Sequence, residues 1–232
     1  MKNQVNTVIL SFSNALSTHQ ITQFRGAIIA AIGEKANTLF HNHQDDKFRY
    51  SYPLVQYKRI RQKAAIVCIK DGAEAIGQFF ANADLCVKIG EDEVQLQIES
   101  VTPNRTLVQL WDDKFNYRIR KWLPLNAKNY EEFIKLEGLS EKVSFLEKIL
   151  IGNLLSFAKG VDVKIENQLL CNITSLSEPT LIRNKGVKLM AFDIEFKTNL
   201  SIPEFIGIGK NASIGYGILT EVRGGRKKKL EY

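Results

Sequence analysis

Apolar and polar positions alternate over residues 5–12, and this period of two predicts a half-buried strand. Over 17–33, apolar positions instead recur every three or four residues, which predicts an amphipathic helix that ends near Gly33. Strand patterns at about 51–60 and 64–70, a short helical pattern from Asp71 to about Ala83 and a strand pattern over 92–100 follow. The order β-α-β-β-α-β is that of a ferredoxin-like unit, an antiparallel sheet with helices on one face.

The second half of the chain starts a similar order again. Strand and helix patterns follow one another as β, α, α, β, β, β over 105–125, 129–139, 140–160, 162–170, 187–197 and 215–222. Ser140 is the predicted N-cap of the longer helix, and Gly160 is its predicted end. This order fits a second ferredoxin-like unit whose second helix is short or missing.

We therefore predict an α+β protein of two tandem ferredoxin-like, RRM-like units, each an antiparallel sheet with helices on one face. The predicted domains are 1–101, which contains two neighbouring histidines, and 102–232, which contains a glycine-rich stretch and a basic tail. The sequence has no low-complexity linker between them, so we expect the two units to pack directly against each other.

Composition points to a protein of the reducing cytoplasm. Apolar residues make up 44% of the chain, and no apolar run reaches the roughly 18–20 residues needed to cross a bilayer. The N-terminus lacks the pattern of a signal peptide, so no membrane association is expected. The three cysteines are isolated and odd in number, which predicts neither a disulfide framework nor a cysteine-rich zinc site.

Charge favours a polyanion as partner. The net charge is +7, and the last ten residues hold five lysines and arginines against one glutamate. Such a tail is typical of a solvated terminus, and phosphate binding by it would be generic. The cluster Lys58, Arg59, Arg61 and Lys63 instead lies in a strand-like region close to the histidines, which favours nucleic acid over a membrane.

His41 and His43 are two of only three histidines, and they lie one residue apart in a polar stretch. In extended backbone, residues i and i+2 project to the same side, so both rings could converge on one group. Imidazole titrates near neutrality, and a pair can therefore supply a base and an acid together. That combination suits RNA cleavage by the ribose 2′-hydroxyl, with a phenol such as Tyr50 orienting a ring or donating to the phosphate.

Two other interpretations of these histidines stay open at this point. They can belong to a polar loop in which both rings face water. They can also provide two metal ligands, although Asp45, Asp46, Cys68 and Cys86 complete no recognisable zinc pattern around them.

The stretch "GIGKNASIGYG", residues 207–217, is the second unusual feature. Glycines allow backbone N–H groups to approach phosphates closely. The stretch is not a Walker A loop, and a dinucleotide-binding fingerprint would have to open a helix, whereas a strand pattern follows here. A glycine-rich hairpin without a ligand is the alternative. The candidate phosphate-binding residues in it are Gly207, Gly209, Lys210, Asn211, Ser213, Gly215 and Gly217.

Together the two stretches resemble a known family, the CRISPR-associated endoribonucleases of the Cas-six family that cut precursor repeat RNA, in its b-type branch. "FRGAIIAAIGEKANTLFHNHQDDKFRYSYPLVQYKRI", with the later "AAIVCI", is similar to the N-terminal half of those proteins. "GIGKNASIGYG" resembles their glycine-rich loop before the last strand. The middle of the chain, about 100–200, resembles them only in predicted architecture.

The resemblance implies two ferredoxin-like units of the RAMP type and metal-independent cleavage of CRISPR repeat RNA to mature crRNA. The implied products carry a 5′-hydroxyl and a 2′,3′-cyclic phosphate, and no cofactor is implied. The matching catalytic positions are His41, His43 and Tyr50. A non-catalytic RAMP-type subunit that binds RNA within a CRISPR effector complex is the alternative.

The resemblance also implies that the glycine-rich loop contacts RNA phosphates. Charge alone adds further candidates for RNA binding, which are Arg25, Arg49, Lys58, Arg59 and Arg61. Phe48, Tyr52 and Tyr57 can be either base-stacking surfaces or core residues. The expected partner is the CRISPR repeat of precursor crRNA, and effector-complex subunits or a second copy in a homodimer are further candidates.

Overall fold

The computed structural model describes residues 3–32, 43–44, 47–48, 52–73, 85–184 and 186–223. The strands and helix of the first half, in chain order, are β1 (Gln4–Ala15), α1 (Ile21–Ile32), β2 (His43–Gln44), β3 (Lys47–Phe48), β4 (Val55–Ile60), β5 (Lys63–Ile69), β6 (Cys86–Ile89), β7 (Asp92–Gln95) and β8 (Ile98–Leu107). A short 3-10 turn, Thr18–Gln20, precedes α1.

The described part of the second half contains five strands and two helices. They are β9 (Leu110–Trp122), α2 (Ala127–Phe133), α3 (Leu139–Gly160), β10 (Cys171–Leu176), β11 (Thr180–Asn184), β12 (Val187–Leu200) and β13 (Ile218–Glu221). None of the helices in the described ranges combines the length and the apolar character needed to span a membrane.

The two main sheets have the same strand order. The first runs β4-β5-β1-β8 and the second β10-β12-β9-β13, and β11 extends the second sheet by pairing with β12. All of these pairs are antiparallel. Counted within each half, the order is second, third, first and fourth strand, which is the ferredoxin-like arrangement. The predicted α+β fold of two tandem ferredoxin-like units is confirmed.

Helices cover one face of each sheet because their apolar stripes match the apolar faces of the strands. In α1, Phe24 packs edge-to-face on Phe12 of β1, with ring centroids 5.9 Å apart. In α3, Leu146, Leu150 and Leu154 are fully buried at intervals of four residues, as the predicted stripe requires. Between β12 and β13, residues 201–217 contain no helix, in agreement with the predicted loss of the second helix from this unit.

Gly152 gives a first testable consequence of the packing of α3. A methyl group placed on Gly152 would meet no atom within 4 Å, and the residue is exposed in the middle of the helix. Glycine within a helix is less favourable than alanine by about 0.5–1 kcal/mol. We expect Gly152→Ala to raise the free energy of unfolding by about that amount in urea titrations. An unchanged or lower value would show that another contact governs this position.

Several element boundaries differ from the sequence prediction. The helix α3 is capped by Gly138 rather than Ser140, and the Glu141 carboxylate accepts from the Gly138 N–H at 3.3 Å. The predicted strand at 162–170 is wrong, because the side chain of Asn199 binds the backbone there. Its Oδ1 accepts from Leu170 N at 2.8 Å, and regular pairing starts only at Cys171.

Other differences concern hairpins. The predicted strand over 92–100 is split between β7 and β8, and β11 was not predicted. The predicted helix from Asp71 is described only for residues 71–73, and the rest lies outside the described residues. Because β8 pairs with β1 as far as Leu107, residues up to that point belong to the first sheet. The division of the chain at 101 and 102 stays a prediction, and we propose to place it in the link between β8 and β9.

Candidate functional site

Only the backbone of one predicted catalytic residue is described. His43 lies in β2, which pairs with β3 so that His43 is opposite Phe48 and Gln44 is opposite Lys47. The side chain of His43, together with His41, Tyr50 and Arg49, lies outside the described residues. The catalytic assignment of His41, His43 and Tyr50 therefore stays a prediction.

The strand β4 lies next to the glycine-rich segment (residues 207–217). In the sequence, β4 follows the two histidines within the stretch 24–60 that resembles the N-terminal half of the family. The Tyr57 N–H donates to Ser213 O at 2.8 Å, and Tyr57 forms a parallel bridge with Ile214. The first sheet thus continues across the border between the units into the glycine-rich segment. The two stretches that carry the family resemblance are in direct contact.

Two buried polar side chains, one just before β4 and one within it, bind the start of the glycine-rich segment. The Tyr52 hydroxyl donates to Gly207 O at 2.8 Å, and Gly207 N donates to Gln56 Oε1 at 2.8 Å. Gln56 Nε2 donates to the Tyr52 hydroxyl oxygen at 3.0 Å, which closes a ring of hydrogen bonds. Burial raises the pKa of Tyr52, so its phenol stays protonated and able to donate.

Lys58 makes a fourth contact with the glycine-rich segment. Its side chain is fully buried, and Nζ donates to Ala212 O at 2.8 Å. Burial lowers the pKa of Lys58 to about 7 because the charged form loses its hydration. An enclosed ammonium group cannot reach an RNA phosphate in this arrangement, which disfavours the predicted role of Lys58 as a direct RNA contact.

Lys58 should make the stability of the protein depend on pH. The pKa of its amine is about 7 in the folded protein against an ordinary value of 10.5, so the unfolded chain binds more protons between these values. Stability therefore rises with pH in this window, by about 3 kcal/mol between roughly pH 7 and 9.5. We expect Lys58→Met to lack this part of the rise when both proteins are titrated with urea at the two pH values. Equal increases in both proteins would contradict the assignment.

The remaining basic candidates for RNA binding differ in their exposure and in their contacts within the protein. Arg59 is half-buried, and its Nε donates to Leu16 O at 2.6 Å. Arg61 is exposed in the tight turn between β4 and β5. Arg25 on α1 lies near Tyr57, where burial raises the pKa of Tyr57 and the charge of Arg25 partly opposes this effect. Since Tyr52 and Tyr57 are both buried, they are core residues rather than stacking surfaces.

The glycine-rich segment is a hairpin, which is the alternative that its pattern left open. Gly207 and Ile218 form an antiparallel bridge, and Ile208 N donates to Gly217 O at 2.8 Å. Gly217 N donates to Lys121 O at 3.1 Å. Because the N–H groups of Gly207 and Gly217 already bind protein acceptors, direct phosphate contact by these two groups is disfavoured.

The turn of this hairpin keeps its candidates for RNA binding. The side chain of Lys210 is exposed, and those of Asn211 and Ser213 are half-buried. Gly209 has φ +91, and a methyl group on it would lie 2.8 Å from Trp122 Nε1. Gly215 is buried against Ile21. The exposed part of the segment is therefore the tip around Lys210.

A cleft of about 700 Å³ lies between the two sheets. Arg61, Lys63 and Arg105 lie along its lining, as do Glu204 and Glu221. Its lining also includes the rings of Phe115, Tyr117 and Phe205. Burial raises the pKa of Tyr117 to about 12. The cleft thus offers hydroxyl, aromatic and charged groups of both signs.

The sequence did not indicate the polar contacts between the units. Charge alone made Lys58 a candidate for RNA binding, and the sequence pattern gave no prediction for Gln56. The structure buries both side chains. The local sequence pattern does not indicate their hydrogen-bond partners, Gly207 and Ala212, which lie about 150 residues further along the chain.

Comparisons with known proteins agree with this architecture. A family model described as the Cas6b N-terminal domain matches residues 1–106, and one described as the Cas6b C-terminal domain matches residues 109–222. An uncharacterized protein of Methanocaldococcus jannaschii is 38% identical over 104 residues, which are 45% of this chain and 69% of that protein.

Solved structures are similar over nearly the whole chain. A crystal structure of Cas6b is 27% identical with a TM-score of 0.83, and the match covers 94% of this chain and 100% of that one. A crystal structure of a CRISPR RNA processing endoribonuclease Cas6b is 26% identical with a TM-score of 0.72 and the same coverage. Since the two domain models leave only a short link and the C-terminal tail unmatched, this chain belongs to the Cas6b family.

Proposed function

We propose that this protein is a CRISPR RNA processing endoribonuclease that cleaves repeat RNA without a metal ion. Membership of the Cas6b family supports this proposal, as does the similarity to a solved CRISPR RNA processing endoribonuclease. The observation that carries it is the direct contact between β4 and the glycine-rich segment. This contact joins the two stretches of sequence on which the resemblance rests.

In the proposed mechanism, the ribose supplies the nucleophile. One of His41 and His43 removes the proton from O2′ at the scissile site, and O2′ attacks the adjacent phosphorus in line. The bond between phosphorus and O2′ forms while the bond to O5′ breaks. The other histidine gives its proton to the departing O5′. The products are a 2′,3′-cyclic phosphate and a 5′-hydroxyl, and Tyr50 donates a hydrogen bond to the phosphate as charge develops.

RNA binding is proposed for exposed and half-buried basic and polar groups at the hairpin tip and in the first unit. Lys210 provides a charge at the tip, and the backbone at Gly209 together with Asn211 and Ser213 provides hydrogen-bonding groups. Arg61, Arg25, Arg59 and Arg49 add positive charge from the first unit. The net charge of +7 supports attraction of a polyanion, and such binding should weaken as salt concentration rises.

One incubation of labelled CRISPR repeat RNA, with and without excess EDTA, tests this function. We expect cleavage to persist in EDTA and the upstream fragment to end in a 2′,3′-cyclic phosphate, because no step requires a metal ion. Cleavage that EDTA abolishes would instead identify a metal-dependent nuclease. Salt-sensitive binding that leaves the RNA intact would favour a non-catalytic RNA-binding subunit.

A further inference from the structure

Three polar side chains from one short stretch are buried in the contact between the units. Tyr52 is 9% exposed, and Gln56 and Lys58 are fully buried. All three reach the backbone of the glycine-rich segment: Tyr52 and Gln56 bind the peptide groups of Gly207, and Lys58 binds Ala212 O. These contacts are separate from the hydrogen bond between Tyr57 N and Ser213 O, which the strand backbone makes by itself.

Such burial carries a cost that an apolar contact would avoid. A polar group loses its hydration when it is buried, and an amine that binds only a neutral peptide carbonyl recovers part of that loss. Apolar side chains of similar size would hold two units together at lower cost. We therefore expect these side chains to fix the position of the glycine-rich segment, in addition to holding the two units together.

The geometry at Gly207 shows what is held. A methyl group on Gly207 would lie 2.6 Å from Lys58 Nζ and 2.7 Å from Ala212 O. Lys58 thus occupies the inner side of the hairpin, between the backbone at Gly207 and the backbone at Ala212. The residues between these two points include Gly209 and the exposed Lys210 at the tip.

We infer that Gln56 and Lys58 are positioning residues that act on RNA through the glycine-rich segment. By fixing Gly207 and Ala212, they hold the tip around Lys210 in a set position relative to β4. Tyr52 supports Gln56 in this role through its hydroxyl group. The RNA readout of this inference rests on the proposed function, whereas its structural readout does not.

The test compares Lys58→Met with Lys135→Met, a lysine on the surface after α2. Amide hydrogen exchange is followed in protein without RNA, and labelled repeat RNA is titrated in single-turnover cleavage. In Lys58→Met, we expect the amides of 207–213 to exchange about tenfold faster, as loss of one buried hydrogen bond would give. Ile194 and Phe196 in β12 should keep their protection. Lys135→Met should behave as the wild type in both assays.

The RNA titration separates positioning from catalysis. We expect the RNA concentration at half-maximal rate to rise about tenfold in Lys58→Met, with the rate at saturation within about threefold of wild type. Tyr52→Phe provides a second variant that keeps the shape of the side chain. It removes the hydroxyl that binds Gly207 O and Gln56, and it should shift both readouts in the same direction by a smaller factor.

Two results would overturn the inference. One is unchanged exchange at 207–213 in both variants, which would show that Tyr57 and the hairpin itself fix the segment. The other is equal acceleration at 207–213 and at Ile194 and Phe196, which would show general loosening. If the wild-type protein neither binds nor cleaves repeat RNA, the proposed function fails. The exchange measurement then still decides whether Lys58 and the Tyr52 hydroxyl, with its partner Gln56, hold the segment.

Discussion

Replacing His41 or His43 with alanine should lower the single-turnover rate of repeat RNA cleavage by roughly 10²–10⁴-fold, because each variant lacks either the base or the acid. The chain offers a matched control in its third histidine. His19 is exposed in the short turn before α1, where its Nε2 lies 3.2 Å from Ser17 Oγ. His19→Ala should cleave at the wild-type rate, and all three variants should bind RNA with similar affinity.

The pH dependence gives an independent check on the histidine pair. One ring must be neutral and the other charged, so the rate should pass through a maximum near neutrality and fall on both sides. The alanine variants should each lose one limb of this profile. Full activity in a protein that lacks both His41 and His43 would remove them from the mechanism.

Gly217→Ala should be the most damaging single change in the glycine-rich segment. Gly217 has φ +64, and an added methyl group would lie so close to Ile208 O that the backbone must move. That movement also breaks the hydrogen bond from Ile208 N to Gly217 O, which is 2.8 Å long. Strain and overpacking together predict a loss of about 3–5 kcal/mol in the free energy of unfolding, measured by urea titration.

Gly186→Ala separates strain from steric clash. Gly186 has φ +80 in the turn between β11 and β12, but a methyl group there would meet no atom within 4 Å. Gly186→Ala should therefore lower the free energy of unfolding by about 1 kcal/mol, because only the left-handed backbone conformation opposes the alanine side chain. Similar losses at Gly186 and Gly217 would show that contact with Ile208 is not what makes Gly217 necessary.

Much of the fold is encoded in local periodicity. The alternation in β1 and the apolar stripes of α1 and α3 specify which faces are buried, and the order of elements specifies two ferredoxin-like units. Boundaries were less accurate where side chains replaced backbone pairing, as Asn199 does beside Leu170. The hairpin of β11 was missed because its apolar residues Leu181 and Ile182 are too few to form a pattern.

The sequence indicated which residues belong to the candidate site, but it did not indicate which residues contact each other there. The rarity of histidine drew attention to His41 and His43, and the glycines drew attention to residues 207–217. Charge alone suggested that Lys58 contacts RNA, whereas the structure buries it against Ala212. Burial by a segment about 150 residues away depends on how the two units pack, and a local pattern contains no such information.

The contact of β4 with Ser213 and Ile214 also has a bearing on solubility. An uncovered outer strand offers free N–H and C=O groups on which other chains can assemble. Here the glycine-rich hairpin covers β4, which is one edge strand of the first sheet. The opposite margin, β8, contains Pro103, which has no N–H to offer, together with the charged Glu99 and Arg105. Removing the hairpin would thus leave β4 as an uncovered edge strand, and we expect the shortened protein to aggregate.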